Sequence, residues 1–234
     1  MPQQAEQWTY QQVLDHFNEV KSEQTATILG RRNPGVTILG VRFGDIDKVA
    51  KRIKRDSDLA RRLWESGIFE ARIVAVRVLD PASLTEEEID RWVEEIDYPT
   101  LADEFAGMVY QTPFAEAKRE TWTRSPREFV RRAGFHLVYS FAADPKSDVP
   151  DRRFRAFLEQ IRAEIHDSPN WSREVMNMVP IAIGKRGEAL FGPALEAATA
   201  YGTVDVFHGD KTNCKVWDAA AALADPRTKV KAPA

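Results

Sequence analysis

The feature that most constrains this chain is a series of helix-start signals that recur every 27 to 39 residues. The first helices of successive pairs are predicted to begin near Ser57, Thr85, Thr112, Asp148 and Gly187. A second helical segment follows each of them after a short turn. Helix pairs of this length bury their apolar faces only against neighbouring pairs. The spacing therefore predicts an all-α fold, an α-α superhelix of stacked two-helix repeats. A helical bundle with accidental spacing is the alternative.

Local signals support the helix boundaries. Thr85 and Glu88 form a capping-box pattern, and Gly67 is a typical helix stop. Thr112-Pro113 and Ser125-Pro126 each place a capping residue before a proline at the first helical position. Two short strand-like runs, Gly35–Val41 and Thr203–Phe207, are isolated, so we expect them to be connectors.

The expected organisation has three parts. Residues 1–35 form an N-terminal helix near Trp8 to Ser22 with a linker, residues 36–224 form the repeat domain, and residues 225–234 form a disordered tail. The single cysteine, Cys214, excludes an intrachain disulfide and favours the reducing cytoplasm. The chain shows no signal peptide and no apolar run long enough to span a bilayer. We expect a cytoplasmic monomer that does not use a membrane.

The sequence does not predict a metal or another cofactor. His208, Asp210 and Cys214 are close in the chain, but their spacing fits no strong ligand pattern and a fourth ligand is not evident. A structural loop is the better interpretation of this segment.

The formal net charge of −3 gives no global attraction to nucleic acid, so an anionic partner requires a local patch. The predicted first helices carry nine basic and thirteen acidic residues, and the predicted second helices carry eight and five. The basic residues of the second helices are Arg72, Arg77, Arg127, Arg131, Arg132, Arg173, Lys185 and Arg186. In a superhelix such a stripe lines a concave basic cleft that can neutralise backbone phosphates. A solvated polar face with i,i+4 pairs is the alternative.

Asp103 stands out because it lies among the apolar residues of a predicted helix, in the stretch DYPTLADEFAG. One interpretation makes it part of a capping box, in which Thr100 caps the helix and Asp103 reaches back to the cap. The other places the carboxylate in a groove, where it does chemistry.

Four segments together resemble the bacterial DNA alkylation repair family, the AlkD-type DNA glycosylases built from HEAT-like repeats. They are GVRFGDIDKVAKRI, LARRLWESGIFEARIVAVRVL, IDRWVEEIDYPTLADEF and RSPREFVRRAGFHL. The resemblance implies an all-helical repeat protein that holds duplex DNA and excises cationic alkylated purines such as 3-methyladenine and 7-methylguanine. Because such a base is already a good leaving group, one carboxylate that stabilises the sugar cation and orients water suffices.

The resemblance also implies roles for single residues. The catalytic aspartate of the family matches Asp103, and an arginine beside the damaged nucleotide matches Arg132. The two tryptophans of the family fall at Pro99 and near Met178, so Tyr98 becomes a candidate for nucleotide contact. Together with the basic stripe, this gives a set of expected DNA-binding residues: Arg132, Arg131, Arg72, Tyr98, Lys185 and Arg186. An interhelical ion pair is the alternative role of Arg132.

Two functional hypotheses follow. The first is a DNA glycosylase that acts on alkylated double-stranded DNA. The second is a non-catalytic HEAT-like scaffold that binds DNA structures or a protein partner through the same surface, and the loss of both tryptophan positions motivates it.

Overall fold

The computed structural model describes residues 8–209, 212, 214–225, 227 and 228. These residues form thirteen α-helices and one turn of 3-10 helix at Pro81–Ser83, without a β-strand. The α-helices, in chain order, are α1 (Tyr10–Val20), α2 (Glu23–Gly30), α3 (Phe43–Ile53), α4 (Ser57–Glu65), α5 (Phe69–Val78), α6 (Glu86–Glu94), α7 (Pro99–Val109), α8 (Ala115–Trp122), α9 (Glu128–Ala143), α10 (Asp151–Glu164), α11 (Asn170–Gly184), α12 (Glu188–Tyr201) and α13 (Ala219–Ala224).

The repeat pattern predicted from the sequence is confirmed. The first helices α4, α6, α8, α10 and α12 begin within three residues of the predicted starts. Each is followed by a second helix, α5, α7, α9, α11 or α13. The Thr85–Glu88 capping box is present, and Gly67 ends its helix with a φ of +68°. Both strand-like runs are connectors without regular structure.

Three predicted caps are wrong by one or two residues. Asp56, and not Ser57, caps α4 by accepting a hydrogen bond from the Leu59 amide. The N-caps of α8 and α9 are Phe114 and Arg127, each two residues after the position predicted from a capping residue followed by proline. In these two loops the proline lies in the turn before the helix, so it stiffens the entry instead of occupying the first helical position.

The chain divides into two compact units. In the first, which contains α1 to α7, α5 packs between α3 and α7, and α4 covers α5. Its core contains Trp64 and Trp92, whose parallel rings stack with centroids 4.3 Å apart, and Phe105 of α7 lies against both. The aromatic cluster therefore joins two successive repeats.

A buried carboxylate holds the loop before α3 in this first unit. Glu70 of α5 is fully buried, and it accepts hydrogen bonds from the backbone amides of Leu39, Gly40 and Val41 at 3.0, 2.7 and 3.1 Å. Three donors give the charge the partners that burial requires.

The second unit, which contains α8 to α13, has the same two-layer pattern. The second helices α9 and α11 pack together and α13 packs on α11, while the first helices α10 and α12 pack together. Gly134 allows α9 to approach the end of α8 closely, because a Cβ atom there would lie 2.5 Å from the Thr123 backbone nitrogen.

Two further sequence predictions concern the limits of the chain. The boundary at residue 35 and the domain 36–224 stay predictions, and most of the 225–234 tail lies outside the described residues.

None of the described helices has both the length and the apolar character that a membrane span requires.

Candidate nucleic-acid interface

Asp103 is not part of a helix cap. The N-cap of α7 is Tyr98 and Pro99 occupies its first helical position, so Asp103 lies in the second turn. The proposed box of Thr100 and Asp103 is therefore wrong, because proline fixes the helix start two residues earlier than a Thr100 cap allows. Asp103 itself is half-buried. Helix capping therefore does not explain the carboxylate at this position, and its catalytic role stays a prediction.

Tyr98 lies in the core, which corrects its assignment as a surface residue for nucleotide contact. Its ring is fully buried against Phe69, with centroids 4.3 Å apart. Its hydroxyl donates a hydrogen bond of 3.0 Å to the Leu29 carbonyl, and burial raises the pKa of Tyr98 to about 12. Pro99 is buried as well. The start of α7 therefore presents no aromatic ring at the surface.

Arg72 on α5 supports the turn between α6 and α7. Its guanidinium lies 4.9 Å from the centre of the Trp64 ring and donates to the carbonyls of Trp64 and Glu95 at 3.1 and 2.9 Å. It also pairs with the Glu95 carboxylate at 3.4 Å. Beside it, burial raises the pKa of Asp97, which Arg72 partly offsets by charge attraction. These contacts with Trp64 and Glu95 give Arg72 a structural role within the fold.

Arg132 on α9 is buried and forms the interhelical ion pair that was the alternative to phosphate binding. Its Nη1 donates to the Glu174 carboxylate at 2.7 Å and to the Trp171 carbonyl at 2.6 Å, both on α11. Glu128, at the start of α9, accepts a hydrogen bond of 2.6 Å from the Trp171 amide. These contacts fix α11 against α9, and the phosphate-clamp role of Arg132 stays a prediction.

Arg131, its neighbour on α9, pairs with Glu164 of α10. It lines an open cavity of about 610 Å³ at the N-terminal ends of α9 and α11, together with Arg124. Glu164 and Asp167 line the same cavity. Two acidic and two basic side chains balance one another there, so the cavity has no net attraction for phosphate.

Lys185 and Arg186 follow α11 and differ in their surroundings. Lys185 is exposed. Arg186 donates to the backbone carbonyls of Phe141 and Asp144 at 3.0 and 2.9 Å and stacks on Phe154 at 4.8 Å, so it ties the end of α9 in place. Of this pair only Lys185 presents its charge to solvent.

The predicted charge segregation is weaker within the observed helix bounds. Helices α5, α7, α9 and α11 hold five basic and five acidic residues, whereas α4, α6, α8 and α10 hold nine and twelve. The arginines of α5 and α9 are Arg72, Arg77, Arg131 and Arg132, and each pairs with a carboxylate. The charges of these four arginines are therefore offset by carboxylates within the fold, and the concave basic cleft stays a prediction.

A basic cluster that the sequence reasoning missed lies at the end of α3. Lys51, Arg52, Lys54 and Arg55 are all exposed, and Lys54 caps the helix with a positive φ of 65°. Arg55 also donates to the Leu79 carbonyl at 2.5 Å, so its position is fixed. The run KRIKR was the available signal. Basic side chains at a helix C-terminus interact favourably with the helix dipole. Four basic residues within five positions are more than this interaction requires.

The segment proposed as a non-metal loop is described only in part. Asp210 lies outside the described residues, Cys214 is exposed, and His208 is buried beside the Trp171 ring with its Nδ1 3.6 Å from Glu174. Within the described part of the chain, no three His, Cys, Asp or Glu side chains form a group that can hold a metal ion.

Comparison with known proteins decides the family. A family model described as DNA alkylation repair enzyme matches residues 13–220. The chain belongs to the DNA alkylation repair enzyme family. Two similar relatives are the uncharacterized proteins Lin0241 of Listeria innocua and Lmo0209 of Listeria monocytogenes. They are 26% and 25% identical to this chain, over 95% of its length and 99% of theirs.

A solved structure confirms the HEAT-like repeat fold within this family. It is described as a new family of proteins related to the HEAT-like repeat DNA glycosylases with affinity for branched DNA structures. It aligns with a TM-score of 0.82 and 22% identity, and the match covers 92% of each chain.

Proposed function

We propose that this member of the DNA alkylation repair enzyme family binds DNA through phosphate contacts and prefers branched DNA to linear duplex. The observation that carries the proposal is the cluster of four exposed cations at the end of α3. Such a cluster binds the sugar-phosphate backbone without reading base sequence, so selectivity arises from the path of the backbone. The affinity for branched DNA described for the structural relative supports this preference.

The test is a salt titration with a labelled forked DNA and a linear duplex of the same length. Removing one cation that neutralises a phosphate reduces the slope of log K against log salt by about 0.9. We therefore expect the double variant Lys51→Gln, Arg52→Gln to lower the slope by nearly two units. The variant Arg152→Gln, Arg162→Gln removes two exposed charges from α10 and serves as the control. Equal slopes for both double variants would refute the role of the cluster, and equal affinity for fork and duplex would refute the preference.

The second candidate function is excision of cationic alkylpurines such as 3-methyladenine and 7-methylguanine, with Asp103 as the catalytic carboxylate. It is favoured by the finding that Asp103 lies in the second turn of α7 and not at its cap. A carboxylate beside the sugar stabilises the cation that forms as the base leaves.

Base release from methylated duplex DNA tests this candidate. We expect Asp103→Asn to lose most excision while it keeps DNA affinity, because the sugar cation that the carboxylate stabilises forms only in the transition state. If the wild type releases no alkylated base at enzyme excess, excision is excluded and DNA binding is the remaining function. Undiminished release by Asp103→Asn would exclude this residue as the catalytic group.

A further inference from the structure

The two most exposed large apolar side chains of the described residues belong to one segment of the second unit. Trp217 is 76% exposed and Phe207 is 63% exposed, and both lie between α12 and α13. The exposure of Phe207 does not result from poor packing of residues 204–208. Val204, Val206 and His208 are buried, while Asp205 and Phe207 face outward in strict alternation.

Side chains of α11 fix the backbone beneath both rings. The Asn170 side chain makes two hydrogen bonds to the backbone of Phe207. Its Nδ2 donates to the Phe207 carbonyl at 2.9 Å, and its Oδ1 accepts from the Phe207 amide at 2.7 Å. Asn177, which is buried, donates to the Trp217 carbonyl at 2.7 Å and accepts from the Tyr201 hydroxyl at 3.1 Å. The rings are thus presented to solvent from an ordered backbone, which lowers the entropy cost of binding.

The spacing of the two anchors corresponds to bases that lie about three steps apart along a strand. Asn170 and Asn177 are seven residues apart on one helix, so the two attachment points lie about 10 Å apart along its axis. That distance equals about three steps of stacked bases at about 3.4 Å each. Met178, next to Asn177, is itself 38% exposed, which adds apolar surface beside the second anchor.

The charges nearby distinguish the two ring positions. Lys215, two residues before Trp217, is exposed like the indole ring. Asp218, which follows Trp217, is also exposed, but its carboxylate accepts a hydrogen bond of 2.8 Å from the Ala221 amide as the cap of α13. A cation beside an aromatic ring is the combination that holds a nucleotide by its phosphate and its base. Asp205 shares the outward side with Phe207 and repels phosphate there. Trp217 is the stronger of the two positions because its ring is the more exposed and a lysine lies two residues away.

We propose that Trp217, with Lys215 beside it and Phe207 as a second platform, stacks on unpaired nucleobases of branched DNA. This inference rests on the proposed function and adds the residues that recognise the branch. Paired bases within a linear duplex have no free face, whereas bases at a fork do. The aromatic segment then adds contacts to the unpaired bases of the branch, while the cationic cluster of α3 contacts the phosphates.

The experiment compares fork and linear duplex binding for the full-length wild type, Trp217→Ala and Trp217→Phe. Removal of one base-stacking ring weakens binding about 5- to 150-fold. We expect Trp217→Ala to show a loss in that range for the fork and less than about twofold for the duplex, and Trp217→Phe to recover most of the affinity. A 2-aminopurine placed at the unpaired position is expected to lose fluorescence with the wild type and to keep it with Trp217→Ala. Ile28→Ala is the matched control, since Ile28 is an exposed apolar residue of the first unit, at 53%.

The remaining outcomes each decide the inference. Equal loss on fork and duplex, or no loss on either, overturns it while the proposed function stands. A wild type that dimerises, and that Trp217→Ala converts to a monomer with unchanged DNA affinity, also overturns it, because the rings then serve self-association. A wild type that binds neither DNA defeats the proposed function as well. Melting temperatures equal to that of the wild type show that the exposed substitutions left the fold intact.

Discussion

Substitution of Tyr98 by phenylalanine is expected to lower the stability of the protein at neutral pH and to raise it relative to the wild type in alkali. The Tyr98 hydroxyl donates to the Leu29 carbonyl at 3.0 Å, and a hydrogen bond of this kind contributes about 1 kcal/mol. At pH 7 the variant should therefore be less stable by about that amount.

The alkaline effect follows from the pKa of Tyr98, which burial raises from 10.0 to about 12. The folded protein holds this proton more tightly than the unfolded chain, so the contribution is complete below pH 10 and is lost as the pH rises through 12. Linkage gives a loss of about 1.4 kcal/mol at pH 11 for the wild type. Phenylalanine has no proton to lose, so the stability difference should vanish and then reverse near pH 11.

Urea unfolding followed by circular dichroism at pH 7, 9, 10 and 11 measures both effects. Tyr139→Phe, at a half-buried tyrosine, gives the effect of removing a hydroxyl outside the core. A stability difference that stays constant up to pH 11 would refute the buried ionisation. A DNA affinity of Tyr98→Phe that falls tenfold while the fold is intact would refute the core position and restore Tyr98 as a contact residue.

Three other substitutions test contacts inside each of the two units. Glu70→Gln should cost about 1–3 kcal/mol of unfolding free energy, because its amide nitrogen cannot accept the hydrogen bonds that the carboxylate takes from the backbone of residues 39–41. An unchanged urea midpoint would contradict this. Gly134→Ala should lower stability by about 1–3 kcal/mol, since its Cβ would lie 2.5 Å from the Thr123 nitrogen. Gly107→Ala, where a Cβ meets nothing within 4 Å, should raise stability by about 0.5–1 kcal/mol. Equal shifts of melting temperature in both glycine variants would exclude close packing as the cause.

The candidate site was only partly predictable, because its residues depend on contacts between distant segments. The sequence directed attention to Arg132 and Asp103, but it did not reveal that Glu174, 42 residues away, would pair with Arg132. Nor did it show that the exposed cations gather at the end of α3, although the run KRIKR was visible. Phe207 was placed in a connector from its sequence, yet only its neighbours on α11 explain why its ring faces solvent.

The sequence by itself determined the helices from α4 onward, their order and their pairing into repeats, whereas α2 (Glu23–Gly30) lies where a linker was predicted. Helix starts and stops depend on residues within a few positions of one another, such as Thr85 with Glu88 or the positive φ at Gly67, so local chemistry is enough. Tertiary structure decided which charged and aromatic side chains are available to a ligand. Tyr98 is buried because residues of α2 and α5 cover it, and Arg132 is paired because α11 brings a carboxylate to it. Exposure and charge pairing are properties of neighbours across the fold, which the local pattern of a single segment does not contain.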